Sequence, residues 1–87
     1  MVRAVETPIG FSIALGKLLE GDRVCRAGWN GKGMHLRVIQ GHEWDEDDKE
    51  SDVETGPFIA IKTADNKLIP WVPSQADLFA VDWQVIE

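Results

Sequence analysis

Phe11, Ala14, Leu15, Leu18 and Leu19 recur at spacings of three and four, which predicts a helix with a single apolar stripe. Thr7-Pro8 ahead of it offers an N-cap followed by a first-turn proline, and Gly21 offers a left-handed stop with Lys17 in the last turns. Gly10 and Gly16 weaken such a helix by roughly 1 kcal/mol each relative to alanine, so it depends on packing. Residues 1–7 read as a tail or an edge strand.

Beyond Gly21 the period changes to two. Arg23 to Gly28 reads as a strand with Val24 and Arg26 on one face, and Met34 to Gln40 as its return, with Met34, Leu36 and Val38 forming an apolar face. Asn30-Gly31 between them predicts a type I′ hairpin turn, because both central residues must take positive φ. Phe58 to Thr63 alternates as a third strand, Asp65-Asn66 turns the chain, and Lys67 to Val72 returns. Pro70 and Pro73 give no ladder donor, which places that arm at an edge or at its end. Ser74 with Asp77 three residues on forms a capping box for a short helix whose apolar side is Ala76, Leu78 and Phe79. Asp82 to Ile86 closes the chain as a strand with Trp83 and Val85 on one face. The order predicts one α+β domain over residues 1–87: a small, mostly antiparallel sheet with an N-terminal helix and a short C-terminal helix.

Charge changes one part of this picture. The net charge is -6, yet residues 43–54 hold eight acids and one base, leaving seven acids and eight bases elsewhere. Residues 42–56 therefore read as a solvated acidic loop, and the remainder can still meet an anion. Trp44 inside that loop is positioned to pack back on the body or to reach a neighbouring subunit. Asp45 and Asp47 open like a calcium loop, but Lys49 stands at a ligand position and Gly56 replaces the closing glutamate. No basic stripe marks polymeric nucleic acid as a partner. No apolar run reaches the ~20 residues of a membrane span, and the N-terminus has no signal-peptide core. Cys25 is the single cysteine, which fits a reducing compartment and a cytoplasmic protein. So thin a core favours self-association.

Catalytic chemistry is sparse. His35 and His42 lie seven apart with no cysteine at metal spacing and read as structural, so no metal or cofactor is expected. No Ser-His-Asp set or phosphate-binding glycine loop is present. Asp77 and Asp82 form only a loose carboxylate pair. Two aromatic clusters say more. Trp29 stands beside Asn30-Gly31-Lys32, where a ring, a bared backbone and a cation suit a base and its phosphate. Trp71 lies between Pro70 and Pro73, ahead of Ser74 and Gln75 at a helix N-terminus, where a phosphate or ribose hydroxyl finds donors. The plainer reading of each is a turn or a cap with a tryptophan plugging the core.

Arg26 to Met34, Pro70 to Leu78 and Asp82-Trp83 resemble the motifs of a small phage and prophage family represented by the second Thoeris anti-defence protein, a likeness that runs from about Phe11 onward. That resemblance implies a non-enzymatic sponge: a homotetramer that sequesters cyclic nucleotide signals, notably glyco-cyclic ADP-ribose, in pockets between protomers. It implies that Trp29 and Trp71 stack a base, that Asn30, Ser74, Gln75 and Asp77 bond base and ribose edges, and that Arg26 or Lys32 meets phosphate. The chain departs from the pattern in its extra N-terminal residues and its acidic insert. The competing expectations are a protein-binding module built on the acidic loop with Trp44, and a cyclic-nucleotide hydrolase using Asp77 or Asp82.

Overall fold

The computed structural model describes residues 9–29, 33–40 and 56–86. Its elements are α1 (Phe11–Leu19), β1 (Arg23–Arg26), β2 (His35–Ile39), β3 (Phe58–Lys62), β4 (Leu68–Pro70), α2 (Gln75–Phe79) and β5 (Trp83–Ile86). The five strands form one sheet in the order β4-β3-β2-β1-β5, with every pairing antiparallel. The fold is α+β, as the alternation of periods predicts. The acidic stretch with Trp44 and His42, together with the N-terminal residues 1–8, lies outside the described residues.

The first helix begins later than the sequence suggests. Its N-cap is Gly10, not Thr7, and no side chain caps it. Long-range pairing explains the delay: the Ile9 N–H donates to the Trp83 carbonyl at 2.8 Å, and the Trp83 N–H donates to the Ile9 carbonyl at 3.0 Å. That bridge holds Ile9 extended, so helical geometry starts only beyond it. The C-terminus follows the expectation. Gly21 takes φ +100, its N–H donates to the Leu18 carbonyl, and the Asp22 N–H donates to the Lys17 carbonyl, both at 3.0 Å. These two bonds are the Schellman pair, satisfying carbonyls that the helix end leaves open.

Ala14 and Leu18 are fully buried under α1, while Phe11 and Leu15 pack partly against the same core. Leu19, expected in the stripe, is exposed because it lies about 100° around the helix from the buried Leu18, at the edge of the stripe. From the sheet come Val24, Leu36 and Trp83, all at 0% exposure, with Val85 beside them. The registers Val24↔Leu36, Val24↔Val85 and Arg26↔Trp83 set these side chains on one face, as alternation requires. Each fully buried Leu or Val contributes about 1.5–3 kcal/mol. The opposite face is mixed, as the alternation predicts: Ile39, Ala60 and Ile86 are buried there, along with His35.

The β1–β2 connection also differs from expectation. A two-residue turn at Asn30-Gly31 would set Val24 across from Arg37, whereas the observed partner is Leu36. The strands stop at Arg26 and resume at His35, and the loop between them opens with a bond from the Trp29 N–H to the Arg26 carbonyl at 3.1 Å. Asn30, Gly31 and Lys32 themselves lie outside the described residues.

Gly33 closes that loop at φ +75, and a Cβ there would stand 3.1 Å from the Lys62 Nζ. Gly33→Ala is therefore expected to cost roughly 1–2 kcal/mol, chiefly through the left-handed backbone. Gly16→Ala, in the exposed middle of α1 with nothing within 4 Å of the new methyl, should stabilise by about 1 kcal/mol instead. Urea unfolding of both variants checks the opposite signs.

At the other edge, β4 carries Pro70 across from Ala60, as an edge strand tolerates. Asn66 takes φ 70 in the β3–β4 turn. The helix α2 is capped as predicted, but its expected apolar side is not buried: Leu78 is 41% and Phe79 80% exposed. Five residues make too short a helix to turn a full stripe inward.

Candidate functional site

Trp83 is the hub of the site. As the first residue of β5 it enters the core beneath α1, fully buried, and its indole Nε1–H donates to the Asp77 carbonyl at 3.0 Å. Three aromatic rings surround it. Phe11 lies with its centroid 5.2 Å away and tilted by 52°. Trp29 meets Trp83 edge-on at 5.5 Å and 80°, and Trp71 does so at 6.0 Å and 85°. Phe11 also touches Trp71 at 6.1 Å. Edge-to-face geometry places the positive rim of one ring against the negative face of another, which holds the rings at fixed angles.

Trp29 and Trp71 are half-buried, unlike Trp83. Each has one side committed to the aromatic cluster and keeps part of its surface toward solvent. Trp71 is delivered by the stiff Pro70 and by a bond from its own N–H to the Ile59 carbonyl at 3.0 Å. Trp29 is delivered by the turn after β1. The structure thus brings the two sequence-predicted indoles onto one cluster, through a third that the sequence showed as a strand residue and as part of the Asp82-Trp83 motif, without a role in the site. Trp83 had no local signal beyond its alternation with Val85. Phe11 was legible only as part of a helical stripe.

Three of the polar candidates, Arg26, Ser74 and Asp77, are engaged with one another. Ser74 and Asp77 complete the capping box: the Ser74 N–H and hydroxyl both donate to Asp77 Oδ2 at 2.9 Å, and the Asp77 N–H donates to the Ser74 Oγ at 3.1 Å. Asp77 Oδ1 accepts from Arg26 Nη1 at 3.0 Å. Arg26 Nε donates to Asp82 Oδ1 at 2.9 Å, and Asp82 Oδ2 accepts the Gly28 N–H at 3.3 Å. Gln75, the first residue of α2, is exposed. The remaining candidates, Asn30 and Lys32, fall outside the described residues.

These contacts fix the charge states. Burial alone would raise the Asp77 carboxyl, but the Ser74 backbone and hydroxyl bonds and the Arg26 guanidinium outweigh it and hold it below the usual aspartate value. The Arg26 bond is the main cause that holds Asp82 down as well. Neither acid has the raised pKa that a general acid needs near neutrality. Burial, then the nearby Asp82 charge, pushes the Cys25 thiol up, away from the nucleophilic thiolate. His35 is shifted down, first by burial and then by the charges of Arg23, Lys62 and Arg37, against a bond from its ring to the Gly33 carbonyl at 2.9 Å. Among the described residues no three His, Cys, Asp or Glu side chains are grouped to hold a metal ion.

Because the folded pKa of Asp77 and Asp82 lies below the unfolded value, their stabilisation is complete above the unfolded pKa, near 3.9. It is lost as pH falls through the depressed folded values. Acid titration of the near-ultraviolet tryptophan circular dichroism should therefore hold steady down to about pH 4 and collapse below it. In Asp82→Asn, whose amide cannot titrate, the remaining acid dependence should be shallower.

The sequence matches the model of a family described as the Thoeris anti-defense 2-like domain, Tad2-like, over residues 9–86. It is also 39% identical over 88 residues to Thoeris anti-defense 2 of Bacillus phage SP01, across 94% of this chain and 99% of the relative. The chain belongs to the Thoeris anti-defense 2 family. Its role is accordingly one of anti-defence. The family match begins at Ile9, the residue that bridges to Trp83, so it spans the entire aromatic cluster. Both motifs that carry the resemblance, around Trp29 and around Trp71, lie inside the matched span of this Thoeris anti-defense 2 family member. No helix among the described residues is long and apolar enough to cross a membrane.

Proposed function

We propose that this chain inhibits bacterial immunity by capturing a cyclic nucleotide signal of the glyco-cyclic ADP-ribose type without cleaving it. The observation that supports this reading best is the pair of half-buried indoles, Trp29 and Trp71, propped edge-on against a buried third. Bases stack on such rings at about 1–3 kcal/mol each, and rings already held in place lose little entropy on binding. Capture needs affinity and stoichiometric protein but no acid, base or nucleophile, in keeping with the paired state of Asp77 and Asp82.

The capturing form is a homo-oligomer, a tetramer on the family resemblance, with pockets between protomers and no cofactor. Ile13 on α1 and Val72, Phe79 and Val81 around α2 leave 53–84% of their surfaces exposed. Large apolar side chains this open are the kind that a subunit contact covers. Gln75, four residues after Trp71, meets a base edge or ribose, and Lys32 a phosphate. The protein is phage- or prophage-encoded and works in the host cytoplasm.

The test is recovery. Purified protein is incubated with glyco-cyclic ADP-ribose, freed of unbound ligand, and heat-denatured. Release of intact ligand supports capture. A linear product would make the protein a hydrolase, and failure to deplete the ligand would remove this signal from the account.

A further inference from the structure

Arg26 ends β1 directly across from Trp83 and reaches two carboxylates that lie 51 and 56 residues further along the chain. Each carboxylate passes the contact on. Asp82 accepts the N–H of Gly28, the residue before Trp29. Asp77 closes the Ser74 cap, three residues after Trp71, and its own carbonyl accepts the Trp83 indole N–H. One guanidinium therefore stands a single intermediary away from the segments that carry all three indoles. Its side chain is 24% exposed, and those of Asp77 and Asp82 are 14% and 33% exposed.

We propose that Arg26 is a positioning residue for the ligand site: it sets the placement of Trp29 and Trp71 about Trp83 and does not itself contact the captured phosphate. The role in binding rests on the capture function proposed above; the role in placing the rings does not. The chemistry favours it. A planar guanidinium presents its N–H groups in a fixed fork, so Nε and Nη1 address separate carboxylates at the same time. Lysine keeps the charge but not the fork. Without a cation, Asp77 and Asp82 become two uncompensated like charges, which drives α2 away from the start of β5.

Four proteins test this: wild type, Arg26→Lys, Arg26→Met and Asp82→Asn. Each is compared by far- and near-ultraviolet circular dichroism and by titration with glyco-cyclic ADP-ribose at several salt concentrations. The expected result is weaker near-ultraviolet tryptophan bands in both Arg26 variants with the far-ultraviolet spectrum retained. Affinity falls about tenfold or more, the scale of one lost base stack, while its salt dependence matches wild type. Asp82→Asn, which leaves the Arg26–Asp77 bond in place, shows a smaller change of the same kind, so a role for Arg26 is still readable if its own variants unfold.

Wild-type ring spectra and affinity in Arg26→Lys would overturn the proposal, since a phosphate contact survives exchange for lysine and a two-carboxylate fork does not. A shallower salt dependence in Arg26→Met would overturn it as well, by showing that the guanidinium meets the ligand's charge. If wild type itself binds nothing, the capture function fails, and the near-ultraviolet comparison still decides whether Arg26 places the rings.

Discussion

Trp83→Ala is expected to destabilise the domain by about 3–5 kcal/mol, the cost of emptying a fully buried tryptophan site. Small domains are stable by only about 5–15 kcal/mol, so this variant should be close to unfolding at room temperature. Three losses coincide. The ring leaves a cavity beneath α1, the edge contacts to Phe11, Trp29 and Trp71 disappear, and the Asp77 carbonyl loses its indole donor. Trp83→Phe separates them, since it restores much of the volume and leaves the carbonyl unpaired. It should cost distinctly less than alanine, and more than an unfilled corner of the cavity alone explains. Urea denaturation midpoints at matched slope measure both.

The second large effect is on binding. Trp29→Ala and Trp71→Ala should each weaken glyco-cyclic ADP-ribose capture by about 5- to 150-fold, the equivalent of about 1–3 kcal/mol for a lost base stack. Their stability cost should stay below that of Trp83→Ala, because both rings are only half-buried. The contrast is diagnostic. A tryptophan that merely fills the core loses stability and binding together, whereas one that faces a guest loses binding first. Calorimetric titration beside urea unfolding of the same three variants separates the two. Equal affinities in wild type and both half-buried variants would mean that the rings serve only the fold.

What could be read from the sequence is what neighbours in the chain decide. The Ser74–Asp77 capping box, the Gly21 stop and the Asn66 turn are set within a few residues, and the structure keeps all three. The period-two alternation placed Val24, Leu36, Trp83 and Val85 correctly because a strand leaves each side chain only two directions. The errors fall where distant segments decide. Thr7-Pro8 is a sound local start signal, but the Ile9–Trp83 bridge moves the first helical residue to Phe11. Asn30-Gly31 is a strong turn signal, yet with β3 and β5 paired on either side the register is one residue off that of a plain two-residue turn.

At the candidate site the same division holds. The types of residue were legible: two indoles flanked by turn residues, a capped helix, a basic group near a glycine-rich loop. Their roles were less so, because no pattern within the chain ties Arg26 to acids more than fifty residues away. From the sequence, an arginine beside a tryptophan reads as a phosphate contact; only the fold brings it the carboxylates of Asp77 on α2 and Asp82 just before β5, which take its Nε and Nη1. Trp83 was hidden for a related reason: alternation reports which face a ring takes, not that two other indoles converge on it.

The central claim is that Trp29 and Trp71 line a site for an intact cyclic nucleotide. A native mass spectrum of the wild-type protein, recorded with and without glyco-cyclic ADP-ribose, tests it most directly. The expected spectrum is that of a homo-oligomer whose mass rises by whole, uncleaved ligand molecules, with the increments lost in the Trp29→Ala, Trp71→Ala double variant. A spectrum unchanged by the ligand, or increments that persist without both indoles, would contradict it.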